Sequence, residues 1–73
     1  MVILDFFFSG KDGAQIHKSI KAINPLTEVI FHTSNENIAD AIDSFRNGAI
    51  DYIFKGKRSL RKVASHISNL ATY

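Results

Sequence analysis

Three residues of this 73-residue chain have the right chemistry to handle a phosphoryl group together: Asp5, Thr33 and Lys55. A carboxylate can attack phosphorus and form an acyl phosphate, a hydroxyl can hydrogen-bond a phosphoryl oxygen, and an ammonium can neutralise the charge. Each stands at the end of a short apolar run. Asp5 follows Val2-Ile3-Leu4, Thr33 follows Val29-Ile30-Phe31-His32, and Lys55 follows Ile50-Asp51-Tyr52-Ile53-Phe54. Taken one at a time they have plainer readings: Asp5 and Lys55 as an ion pair closing a sheet end, Thr33 as a turn or cap residue. An unpartnered carboxylate at the end of a buried run is costly, so Asp5 requires an explanation of some kind.

The elements that must position these residues follow from the apolar pattern. The three runs are short, rich in β-branched and aromatic residues and mostly non-alternating, as expected of strands buried on both faces. Each is followed by a segment with helical period. Ile16, Ile20 and Ile23 mark one stripe of a helix from about Lys11 to Ala22, entered through Asp12-Gly13 and stopped by Asn24-Pro25. Ile38, Ile42 and Phe45 mark a second after Asn35 as N-cap, with Asn47-Gly48 as its stop. Leu60, Val63, Ala64, Ile67 and Leu70 mark a third after Ser59 as N-cap. Strands alternating with helices imply right-handed crossovers and a parallel sheet with helices on both faces. Ligands of such sheets bind beyond the carboxyl ends of the strands, where Asp5, Thr33 with Ser34, and Lys55 meet.

Composition excludes several classes of function. The chain has no cysteine, so disulfides and thiolate metal ligation are ruled out, and a reducing cytoplasm is the expected compartment. No apolar run approaches the ~20 residues of a membrane span. Net charge is only +2, although Lys55, Lys57, Arg58, Arg61 and Lys62 crowd a region with no acidic residue after Asp51. Without interleaved aromatics this reads as a solvated helix face, and no direct nucleic-acid binding is expected. His17, His32 and His66 lack metal-ligand spacing, and Gly10 to Gly13 lacks the endings of nucleotide-binding glycine loops. Phe31, Phe45, Tyr52, Ile53 and Phe54 are expected in the core.

Asp5 with Ser9-Gly10-Lys11-Asp12-Gly13, then VIFHTS at 29–34 and NGAIDYIFKG at 47–56, resembles the receiver domain of two-component response regulators over nearly the whole chain. The resemblance implies a three-layer α/β, flavodoxin-like (CheY-like) parallel sheet, here a (βα)3 portion corresponding to strands 3-4-5 of the full fold. Residues 1–73 would form a single partial receiver domain without its first two βα units. It further implies a non-enzymatic signalling role: Asp5 as phosphoacceptor from a sensor histidine kinase, Thr33 and Ser34 at the phosphoryl group, Lys55 as its cationic partner, and Tyr52 as the aromatic that switches with Thr33. Magnesium (Mg2+) is implied as cofactor, with Asp5 and the backbone carbonyl of Phe7 as ligands. The family's acidic pair is not among these residues, and Ser9 and Gly56 stand where the family has proline.

Without those units the strand Val2 to Phe6 would become an apolar edge, and a homodimer through that strand, or by swapped elements, is expected. The alternative function is a receiver half acting only as a self-associating structural module. A hydrolase with Asp5 as nucleophile is weaker, because no second acid for leaving-group protonation is visible.

Overall fold

The computed structural model describes residues 1–7 and 12–71. Phe8, Ser9, Gly10 and Lys11, assigned above to the loop after Asp5 and to the start of the first helix, lie outside the described residues, as does the side chain of Leu70. The chain runs β1 (Val2–Leu4), α1 (Gly13–Ile23), β2 (Val29–Thr33), α2 (Ile38–Arg46), β3 (Asp51–Phe54) and α3 (Ser59–Ala71). The strands form one parallel sheet in the order β1-β2-β3, with Leu4, Phe31 and Tyr52 in register across it. This is the parallel α/β architecture that the alternation of strand and helix implies.

The central strand is the most deeply buried element: Val29, Ile30, Phe31 and Thr33 are fully buried. Alternation along the strands sends side chains to two different layers. Leu4, Val29 and Phe31 join Phe6 and Ala49 in one cluster, against which Val2, Ala14, Ile16, Ile20 and Tyr52 pack. On the other face Ile30 and Ile53 meet Val63 of α3.

The helix ends follow local hydrogen-bond chemistry. Asp12 caps α1 by accepting from the Ala14 N–H at 2.9 Å, satisfying a donor that the helix itself leaves free. Gly13 must be glycine, because a Cβ there would lie 2.6 Å from both Cα and O of Phe6. Its N–H donates to the Phe6 carbonyl, which ties the turn after β1 to the start of α1. At the other end, Lys21 Nζ donates to the carbonyls of Pro25 and Thr27. Gly48, with φ of 98°, takes the left-handed conformation just beyond α2.

Several expectations need correction. The cap of α2 is Asn37, which accepts from the Asp40 N–H; Asn35 instead lies buried in the preceding loop. Ser59 is the first residue of α3, and its hydroxyl turns back to the Gly56 backbone rather than capping forward. The third strand begins at Asp51, leaving Ile50 half exposed. Phe45 and Phe54 are not core residues but are 50% and 49% exposed, and Ile38, Ile42 and Leu60 are exposed as well. The reason is the width of the sheet. Helix α1 lies over the β1 and β2 side chains, α2 is left against the edge strand β3, and three strands cannot cover every apolar stripe. The outer strands are likewise open on one side, with Ile3 of β1 43% exposed.

Candidate functional site

At the carboxyl end of the sheet the three strands deliver their terminal polar residues to one place. Asp5 directly follows β1 and is held by three donors. Its Oδ1 accepts from the Thr33 hydroxyl at 2.9 Å and from the Phe7 N–H at 3.2 Å, and its Oδ2 faces Lys55 Nζ at 2.6 Å. The lysine ammonium first, then the Phe7 N–H and the Thr33 hydroxyl, hold the Asp5 carboxyl down at about 2. It is therefore ionised throughout the neutral range.

Thr33 is buried at the end of β2 with its hydroxyl both donating and accepting. It donates to Asp5 and accepts from the Asn35 N–H at 3.2 Å, which links the carboxylate to the loop before α2. Lys55 is placed by its own backbone, whose N–H donates to the Thr33 carbonyl at 2.9 Å, continuing the sheet pairing one residue past β3. Tyr52 lies between Phe31 and Phe54, and its hydroxyl donates to the Asn35 carbonyl at 3.0 Å. Burial raises the Tyr52 hydroxyl above its usual range, so it stays protonated and able to donate. Ser34 stands exposed in the bend after β2. Phe7 is also exposed, while Phe6 turns inward to pack near Phe31 and Tyr52.

The structure thus brings Asp5, Thr33 and Lys55 into direct contact and connects Tyr52 to them through Asn35. Asn35, whose sequence position suggests a cap, is the hub of this corner. Its side-chain amide donates to Asp40, its Oδ1 accepts from the Asn37 N–H, and its backbone serves both Thr33 and Tyr52. The sequence signal was present, because buried asparagines in turns characteristically bond the backbone two residues on.

Two histidines also gain partners that local spacing did not show. His66 Nε2 lies 2.8 Å from Asp51 Oδ2, joining α3 to β3, and His32 Nε2 lies 2.9 Å from Ser59 Oγ.

The magnesium set expected from the resemblance does not fit the residues present. Both oxygens of Asp5 are engaged by donors, and among the described residues no group of three His, Cys, Asp or Glu side chains is arranged to hold a metal. One carboxylate and one carbonyl leave most of an octahedral shell unfilled by the protein.

Comparisons with known proteins agree with the geometry. The family model described as response regulator receiver domain matches residues 1–66. The transcriptional regulatory protein ZraR of Escherichia coli (strain K12) is 33% identical over 55 residues, covering 75% of this chain and 12% of that protein. ZraR of Klebsiella oxytoca is 31% identical over the same length and coverage. The crystal structure of the receiver domain of NtrX from Brucella abortus matches with a TM-score of 0.78 at 30% identity, covering 99% of this chain and 62% of that one. The chain thus spans only a small part, 12%, of the curated relatives it matches. A sheet carrying an ionised aspartate, a threonine and a lysine at its carboxyl edge, matched by that family along most of its length, has one consistent reading: the chain belongs to the response regulator receiver domains of two-component systems, with their flavodoxin-like fold.

Proposed function

We propose that Asp5 is the phosphoacceptor of this receiver domain and takes a phosphoryl group from a sensor histidine kinase. The observation that carries the reading is the contact set of Asp5: one ionised carboxylate held between the Thr33 hydroxyl and the Lys55 ammonium. In the transfer an Asp5 oxygen attacks phosphorus, the bond from phosphorus to the donor histidine nitrogen breaks, and an acyl phosphate forms. Lys55 then moves from the carboxylate to a phosphoryl oxygen, and the Thr33 hydroxyl does the same. Roughly −1.5 to −2 of charge enters where −1 stood, and two donors that now hold Asp5 are drawn away from it.

The conformational readout follows from what those donors touch. Moving the Thr33 hydroxyl perturbs the Asn35 N–H, and through the Asn35 carbonyl it loosens the Tyr52 hydroxyl. Tyr52 is therefore the aromatic that responds, with Ser34 bordering the phosphoryl group. The proposed role is signalling in the cytoplasm rather than turnover. Receiver domains bind magnesium, but the donors of this chain supply too little of such a site for a step to be assigned to the ion here. No helix among the described residues is long and apolar enough to cross a membrane.

We further propose that residues 1–73 act as one unit, the (βα)3 part of the receiver fold, and that two copies pair through β1. That strand lies at the sheet edge with Ile3 and Met1 about two-fifths exposed. Sedimentation at micromolar concentration tests the pairing, and a monomer there rejects it.

The phosphoacceptor reading is tested with acetyl phosphate, with and without magnesium, followed by intact mass. The expected result is a single phosphoryl adduct that is lost in Asp5→Ala. An adduct that survives Asp5→Ala, or none under any condition, overturns the reading.

A further inference from the structure

We infer that His32 and Ser59 form a clasp that positions Lys55 for the acceptor site. The inference rests on the phosphoacceptor reading of Asp5 and adds two positioning residues to it. Lys55 lies in the connection between β3 and α3, and the residue after it is Gly56. A side chain at Gly56 would meet nothing within 4 Å, so no packing restrains this glycine. An unpacked glycine has the widest choice of backbone conformations of any residue. A lysine carried on such a turn needs another restraint if its ammonium is to stay on Asp5.

Hydrogen bonds supply it. The Lys55 N–H is fixed to the Thr33 carbonyl at 2.9 Å. Beyond Gly56 the next anchor is Ser59, which is only 7% exposed. Ser59 binds both polar groups of the Gly56 backbone. Its Oγ accepts from the Gly56 N–H at 3.2 Å and lies 3.0 Å from the Gly56 carbonyl, which also accepts from the Ser59 N–H. Ser59 is in turn fixed to the sheet by His32, whose Nε2 lies 2.9 Å from Oγ. The two ends of the Lys55 turn are therefore held by adjacent residues of one strand, Thr33 at one end and His32 at the other.

The proton count closes in either of two ways. With the Ser59 hydroxyl donating to the Gly56 carbonyl, His32 donates from Nε2. With the hydroxyl donating to His32, the Gly56 carbonyl keeps the Ser59 N–H. Neither arrangement leaves a buried group without a partner, so the clasp does not depend on one histidine tautomer.

The test is competitive acylation of lysines in the 73-residue chain with limiting acetic anhydride, read by peptide mass spectrometry. Lys18, exposed on α1, serves as the internal reference. His32→Leu and Ser59→Ala are each expected to raise the reactivity of Lys55 relative to Lys18 by about threefold, the effect of releasing an exposed ion pair. His32→Gln, which places an amide nitrogen near the position of Nε2, is expected to restore the wild-type ratio. An unchanged ratio in folded Ser59→Ala overturns the inference, as does a rise in His32→Gln equal to that in His32→Leu. Should the variants not fold, amide exchange in the unmodified chain decides: the clasp requires slow exchange at Gly56 and Ser59, and fast exchange at both rejects it. Failure of Asp5 to accept a phosphoryl group changes none of these readouts, so the two failures are distinguishable.

Discussion

The two faces of the sheet are built differently. The face under α1 is an apolar core in which Leu4, Phe6, Val29, Phe31 and Ala49 are buried together and aromatic rings meet at 5.4 to 6.3 Å. Among the described residues the face under α3 buries Ile30, Ile53 and Val63, and its helix is tied down by two polar links, His66 to Asp51 and His32 to Ser59. Apolar burial is strong but non-directional, whereas hydrogen bonds contribute little net energy and fix geometry. The first face supplies most of the stability, and the second sets where the loop carrying Lys55 lies.

The contrast is broken most severely by Phe31→Ala. Removing this fully buried ring is expected to cost about 3–5 kcal/mol, enough to leave so small a domain largely unfolded in a urea titration. Val63→Ala, the matching deletion on the other face, is expected to cost about 1–2 kcal/mol, because it removes two methyl groups from a thinner layer. Equal costs for the two would show that the faces do not differ as described.

His17 sharpens the comparison through pH. It lies on α1, buried against Phe31, its Nε2 has no hydrogen-bond partner among the described residues, and burial first, then Lys21, pushes its imidazole below 6.5. The folded chain therefore resists a proton that the unfolded chain accepts. Stability is full above pH 6.5 and falls as the pH drops below it, by up to about 1.4 kcal/mol per unit until the folded-state value is passed. Unfolding at pH 7.5 and 5.5 measures the fall, and His17→Phe is expected to reduce it. The smallest effect is expected from Ile3→Thr on the α3 face. Ile3 is already 43% exposed, so thermal unfolding should change by less than about 0.5 kcal/mol.

What could be read from the sequence divides along the same lines. The order of strands and helices was legible because the period of apolar residues changes from one element to the next. The meeting of Asp5, Thr33 and Lys55 was legible because parallel strands place their carboxyl ends at one edge. Exposure was not legible. Phe45 and Phe54 have the composition of core residues, and only the width of the sheet decides that no neighbour covers them. The links through His66, His32 and Asn35 were also hidden, since their partners lie 15, 27 and 17 residues away in the chain and follow no local spacing rule. The Asn35 cap assignment failed for a related reason: Asn37 stands two residues later with the same chemistry, and the turn chose between them.

The contact between Asp5 and Lys55 joins residues 50 apart in a 73-residue chain. Closing so long a loop is entropically costly and brings no reward until the intervening strands have paired. The acidic and basic partners therefore meet late in folding, after β1 has found β2 and β2 has found β3. A chain caught with β3 undocked lacks the Lys55 ammonium, the strongest of the influences that lower the Asp5 carboxyl, so its titration rises toward the ordinary aspartate range and reports whether the last strand has docked.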